Sequence, residues 1–194
     1  MNIISIFKIN NEKSLAFLVP NVKNKFNYSY KPTEKLHKFD KITVFFKGDK
    51  EIEIASDMAY LILETFKLTL IDAIDNKIIV PKEIGVGKAG YYHNLDHKKK
   101  YAERFLESSS YSVWAKKNIQ TWIYNKNNKI YLEIFPAYPW FYDEPMEGNN
   151  HIPFDEFIKT YQPIAVEEID LATAQKWIEQ CNEILDTIAD EDNS

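Results

Sequence analysis

Apolar and polar residues alternate along much of the chain, and short polar turns between the alternating runs mark three hairpins. Asn2 to Ile9 and Ser14 to Val19 flank Asn10-Asn11-Glu12-Lys13. Ile42 to Lys47 and Glu51 to Ala55 flank Gly48-Asp49, and Glu51-Ile52-Glu53-Ile54 alternates as a strand with one wet face does. Asn118 to Tyr124 and Lys129 to Phe135 flank Asn125-Lys126-Asn127-Asn128, where asparagine tolerates a positive φ. Tyr111 to Ala115 reads as a neighbouring strand. Loops this short between paired runs imply antiparallel sheet.

Helical periodicity replaces alternation in four places. The first predicted helix takes Ser56 as N-cap, with Asp57 complementing the dipole, and runs towards Ile74. It is apolar nearly all round, which predicts the most buried helix; Leu68 to Ile74 also fits a strand paired with Lys77 to Val80. The second spans about Leu95 to Ser108. The third has Pro153 in its first turn, turns Phe154, Phe157, Ile158 and Tyr161 inward, and stops before Pro163. The fourth follows Asp170 as N-cap, with the apolar stripe Ala174, Trp177, Ile178, Cys181, Ile184, Leu185 and Ile188. Glu179, Glu183, Asp186 and Asp190 lie on or beside its opposite, wet face. The expected fold is α+β: an antiparallel sheet built from hairpins with about four packed helices, in one globular domain over residues 1–194, with 190–194 disordered.

Composition changes this picture little. At 194 residues, 45% hydrophobic and 14% aromatic, the chain buries a real core. One cysteine, Cys181, excludes an internal disulfide and fits a reducing compartment. The first ten residues lack the pattern of a secretion signal, and Met58 to Ile74 is interrupted by Glu64, Lys67 and Asp72, too polar to span a bilayer. A cytoplasmic protein without membrane contact is expected. Charge changes more. Residues 143–194 hold 14 Asp and Glu against Lys159 and Lys176, a balance of −12, while residues 1–142 carry +7, summing to the net −5. Summed charge of this asymmetry acts on partner choice and encounter rather than on fold.

Most local motifs fail on their context. Gly85-Val86-Gly87-Lys88-Ala89-Gly90 matches a dinucleotide-binding turn, but Pro81 to Glu83 separate it from the preceding run and antiparallel hairpins follow. His93 and His97 have the i, i+4 spacing of two metal ligands, yet Lys98, Lys99 and Lys100 follow directly and repel a cation. A small enzyme of the metal-dependent hydrolase type, with a site in residues 85–97, is the alternative these residues leave. Cys181 sits on the apolar stripe and reads as core. Ser108-Ser109-Ser110 has no nucleophile elbow, and Glu133 with Asp143 is one carboxylate pair among many. The lysines and aromatics of residues 23–41 resemble a nucleic-acid surface in composition, but the chain is acidic and has Arg104 as its lone arginine, so nucleic acid is not expected as partner. No cofactor is implied.

The segment from Pro136 to Glu147 is less ordinary, because it joins Tyr138, Trp140, Phe141 and Tyr142 with Asp143, Glu144 and Glu147 among three prolines. Rigid aromatics of this kind anchor protein interfaces, and carboxylates around them suit a lysine-rich partner. Trp122-Ile123-Tyr124, Ile130 to Ile134 and Tyr138-Pro139-Trp140, followed by Phe154 to Tyr161 and the acidic helix bearing Trp177, resemble the C-terminal half of bacterial immunity proteins of secreted and contact-dependent toxin systems. The resemblance covers about the last 80 residues and lies in arrangement and composition. It implies a cytoplasmic inhibitor that binds a cognate basic toxin domain, often a nuclease, and occludes its active site. From the chemistry above, the expected partner-binding residues are Trp140, Tyr142, Asp143, Glu144, Glu147, Glu179, Glu183 and Asp186, and no catalytic residue is assigned.

Overall fold

The computed structural model describes residues 2–19, 36–77, 112–116, 118–137 and 150–188. In chain order the elements are β1 (Asn2–Lys8), β2 (Ser14–Val19), β3 (Lys41–Lys47), β4 (Glu51–Met58), α1 (Ala59–Ile74), β5 (Ser112–Lys116), β6 (Ile119–Lys126), β7 (Lys129–Pro136), α2 (Phe154–Lys159), β8 (Ala165–Ile169) and α3 (Leu171–Thr187). The fold is α+β, with two antiparallel four-stranded sheets, β1-β2-β3-β4 and β5-β6-β7-β8. The chain divides into two compact units: Met1–Leu68 with Leu171–Ser194, and Thr69–Asp170. The expected count of about four packed helices is not supported. Among the described residues there are two long helices and the six-residue α2, and the helix expected over residues 95–108 lies outside them.

The first sheet follows the turn chemistry. The Asn10 side-chain carbonyl accepts the backbone N–H of Glu12 and of Lys13 at 2.9 and 2.8 Å, closing the β1–β2 turn. The β3–β4 register shifts between Val44 and Phe45, where Ile54 is the extra residue. This bulge breaks the strict alternation expected of Glu51 to Ile54 and lets Ile54 and Ala55 both be buried.

The start of α1 differs from expectation. Ser56 and Asp57 do not cap it; they belong to β4, paired with Thr43 and Ile42, and the Ser56 hydroxyl lies 3.1 Å from that of Thr43. A ladder of backbone bonds outweighs one side-chain cap. The first helical amides are satisfied instead by a backbone turn: Ala59 N–H donates to the Asp40 carbonyl (2.7 Å) and Tyr60 N–H to that of Lys38 (3.1 Å). Nor is α1 buried all round, since Tyr60, Leu61 and Leu68 are exposed while Ala59, Ile62, Leu63, Phe66, Leu70 and Ala73 are buried. The stretch 68–74 is helix rather than strand. It ends with Asn76 at φ 54°, Asn76 N–H bonding the Ala73 carbonyl and Lys77 N–H that of Asp72, the two bonds of a Schellman cap.

In the first unit, four rings form the centre of the core. Phe7 of β1 lies 4.6 Å from Phe17 of β2 and 5.4 Å from Phe66 of α1, ring centre to ring centre. Trp177 of α3 completes the cluster at 6.0 Å from Phe7 and 5.7 Å from Phe66. Aromatic pairs at these separations add to the burial of their area.

The second unit is a hairpin extended on both sides. Asn127 and Asn128 take φ of 55° and 60° between β6 and β7, as a two-residue turn of the primed type requires. β5 joins one edge as expected. β8 was not anticipated: Ala165 to Ile169 pairs antiparallel with Ile134 to Ile130. Chain alternation then sorts the sheet. Thr121, Ile123, Leu132 and Ile134 share one face, while Trp122, Tyr124, Tyr131, Glu133 and Phe135 share the other.

Candidate functional site

Helix α3 carries the described part of the expected site. Its period places Ala174, Trp177 and Cys181 in the core, Trp177 at 1% exposure, with Ile178, Ile184 and Leu185 half-buried beside them. Positions 179, 183 and 186, spaced by four and three, then share one helix face by geometry. Glu179, Glu183 and Asp186 are all exposed there, and none forms an ion pair with a described residue. Lys176 precedes them on the same face. The buried stripe below, and three carboxylates against one lysine above, give this face of α3 a net negative charge that can attract a cation.

The other expected residues cannot be placed with it. Trp140, Tyr142, Asp143, Glu144 and Glu147 lie outside the described residues, as do His93, His97 and the Gly85–Gly90 segment. Among the described residues no group of three or more His, Cys, Asp or Glu side chains could hold a metal ion, and no helix is long and apolar enough to cross a membrane.

Cys181 is a core residue. Burial pushes its thiol up to about 12, with Lys67 opposing and Glu64 reinforcing the shift. The proton is therefore held more tightly in the folded than in the unfolded chain, whose thiol sits near 9. Stability is unaffected below pH 9 and falls as pH rises from about 9 to about 12. A thiol reagent at pH 8 should label native protein at least about 100-fold more slowly than urea-unfolded protein, because thiolate and access are both lacking. Equal rates would place Cys181 at the surface.

Sequence reasoning passed over one cluster in the second unit. Glu133 of β7 is 4% exposed and meets Trp122 of β6 across the ladder. Tyr124 donates its hydroxyl to one carboxylate oxygen at 2.9 Å, and Tyr161, just beyond α2, donates to the other at 2.5 Å. No described cation pairs with Glu133. Burial first, and the Glu133 charge second, hold the Tyr124 phenol well above its ordinary value, so it stays a donor. Tyr131 stacks on Tyr124 at 5.6 Å, and Phe135 lies 4.5 Å from Trp122 and 5.8 Å from Tyr161. Both carboxylate oxygens are engaged by hydroxyls, which suits anchoring the 161 segment to the sheet better than transferring protons. The signal was present only as strand alternation, which puts Tyr124 diagonal to Glu133; nothing local pointed to Tyr161. On the opposite face, the buried Thr121 hydroxyl has no hydrogen-bond partner among the described residues.

No family model, curated protein or solved structure matches the chain.

Proposed function

We propose that the chain is an inhibitor of the immunity-protein kind, a bacterial, cytoplasmic protein that binds a basic toxin domain of nuclease type and occludes its active site. The observation that carries this reading is the exposed row Glu179, Glu183 and Asp186, without an ion pair to any described residue, on a helix held down by a buried tryptophan. A nuclease surface built to hold phosphates is cationic, and carboxylates presented together on one helix face compete for it. The charge division supports the same partner, since the balance of −12 lies in residues 143–194. The same proposal gives Asp143, Glu144 and Glu147 the role of further carboxylate contacts to the basic domain, and Trp140 and Tyr142 that of aromatic anchors.

The test starts from gene context. If the neighbouring gene encodes a large secreted protein with a small basic C-terminal domain, that domain should co-purify with this chain as a stoichiometric complex lacking nuclease activity. Its association rate should fall about 100-fold between low and high salt. A complex that leaves the nuclease active, or association indifferent to salt, contradicts the proposal.

A further inference from the structure

An open groove of about 390 Å³ runs between β1 and α3 in the first unit, lined by Ile6, Lys8, Thr173, Lys176, Trp177 and Gln180. Its position follows from the strand. Phe7 points to the core and touches the Trp177 ring, whereas Ile6 and Lys8 point to the other side of β1. A groove reached by Trp177 and by both of these must pass around the rim of the strand. β2 occupies one rim, so the groove follows the other, which pairs with no strand among the described residues.

Three further features meet at this rim. Ile3 and Ile6 are exposed at 60% and 41%, and the strand sequence Asn2–Lys8 is rich in β-branched residues without proline. That is the profile of an edge ready to take another strand. Lys8 and Lys176, from different elements, line the groove together, and neither forms an ion pair among the described residues. Thr173 lies in the first turn of α3, where the helix dipole adds further positive potential.

We propose that this groove receives an extended peptide segment carrying carboxylates, which adds to β1 as a fifth strand and places its acidic end between Lys8 and Lys176. Main-chain bonds to the rim of β1 opposite β2, unpaired among the described residues, hold the segment, Ile3 and Ile6 accept its apolar side chains, and the two lysines select its charge. The sign is opposite to that of the Glu179, Glu183 and Asp186 row, which begins about one turn beyond Lys176 on the same helix face, so the site takes a different class of ligand.

The intact chain, labelled with nitrogen-15, would be titrated with an acetylated hexapeptide of alternating valine and threonine that ends in two glutamates. Saturable shifts should be confined to β1 and to residues 173–180. A counterpart ending in two lysines should bind about tenfold more weakly. Lys8→Glu combined with Lys176→Glu, both at exposed positions, should reverse that order. N-methylation of the glutamate peptide backbone should abolish the shifts. The proposal is overturned by absent or non-saturating shifts, by equal binding of the two peptides, or by binding that survives N-methylation.

Discussion

Trp177→Ala is expected to cost about 3–5 kcal/mol of unfolding free energy, the largest loss of any single truncation in the first unit. The ring is buried and packs against Phe7 of the sheet and Phe66 of α1, so its removal leaves a cavity bounded by both. Neither neighbour refills that space readily, because Phe7 and Phe66 both pack against Phe17, at 4.6 and 5.7 Å. Trp177→Phe, which keeps a ring, should recover most of the loss. Urea unfolding followed by circular dichroism would read the alanine change as a midpoint lowered by about 1–2 M. A shift near zero would mean that α3 is not anchored by this ring. The acidic row would then lose its rigid support.

The second large effect is expected at Glu133. Glu133→Ala removes the acceptor of two tyrosine hydroxyls and leaves a void, with an expected cost of about 2–4 kcal/mol. Tyr161→Phe, which strips one donor from a buried carboxylate, should cost about 1–2 kcal/mol. Replacing the whole cluster tests the argument more sharply. Glu133→Met with Tyr124→Phe and Tyr161→Phe removes every polar atom of the network together and should return to within about 1 kcal/mol of the native chain, since an apolar substitute of similar volume avoids burying a charge. If that triple variant is no more stable than Glu133→Ala, the hydrogen bonds contribute net stability that an apolar substitute does not replace.

Where local rules act alone, the sequence is readable. The Asn10 turn, the Asn127-Asn128 turn and the stripe of α3 each follow from residues within a few positions of one another. The failures occur where a distant partner decides. Ser56 has the chemistry of an N-cap, but β3 claims it through the ladder, and the helix takes its cap from the Asp40 turn. Residues 165–169 hide their strand because the adjacent pair Glu167 and Glu168 breaks the visible alternation; Glu167 is buried all the same. The pairing of Glu133 with Tyr161 joins residues 28 apart and carries no sequence periodicity. For the binding surface, the spacing of Glu179, Glu183 and Asp186 was legible as helix geometry. The groove at β1 was not, because it depends on which strand ends the sheet.

The central claim is that the carboxylates of α3 steer a cationic protein partner. Its most direct test is the association rate of the neighbouring toxin domain with Glu179→Lys, Glu183→Lys and Asp186→Lys combined, measured by stopped flow at low salt. The expected result is a rate lowered by about 10- to 100-fold, with dissociation changed far less and the loss shrinking as salt is added. An unchanged association rate in a variant that remains folded would remove α3 from the interface and contradict the account.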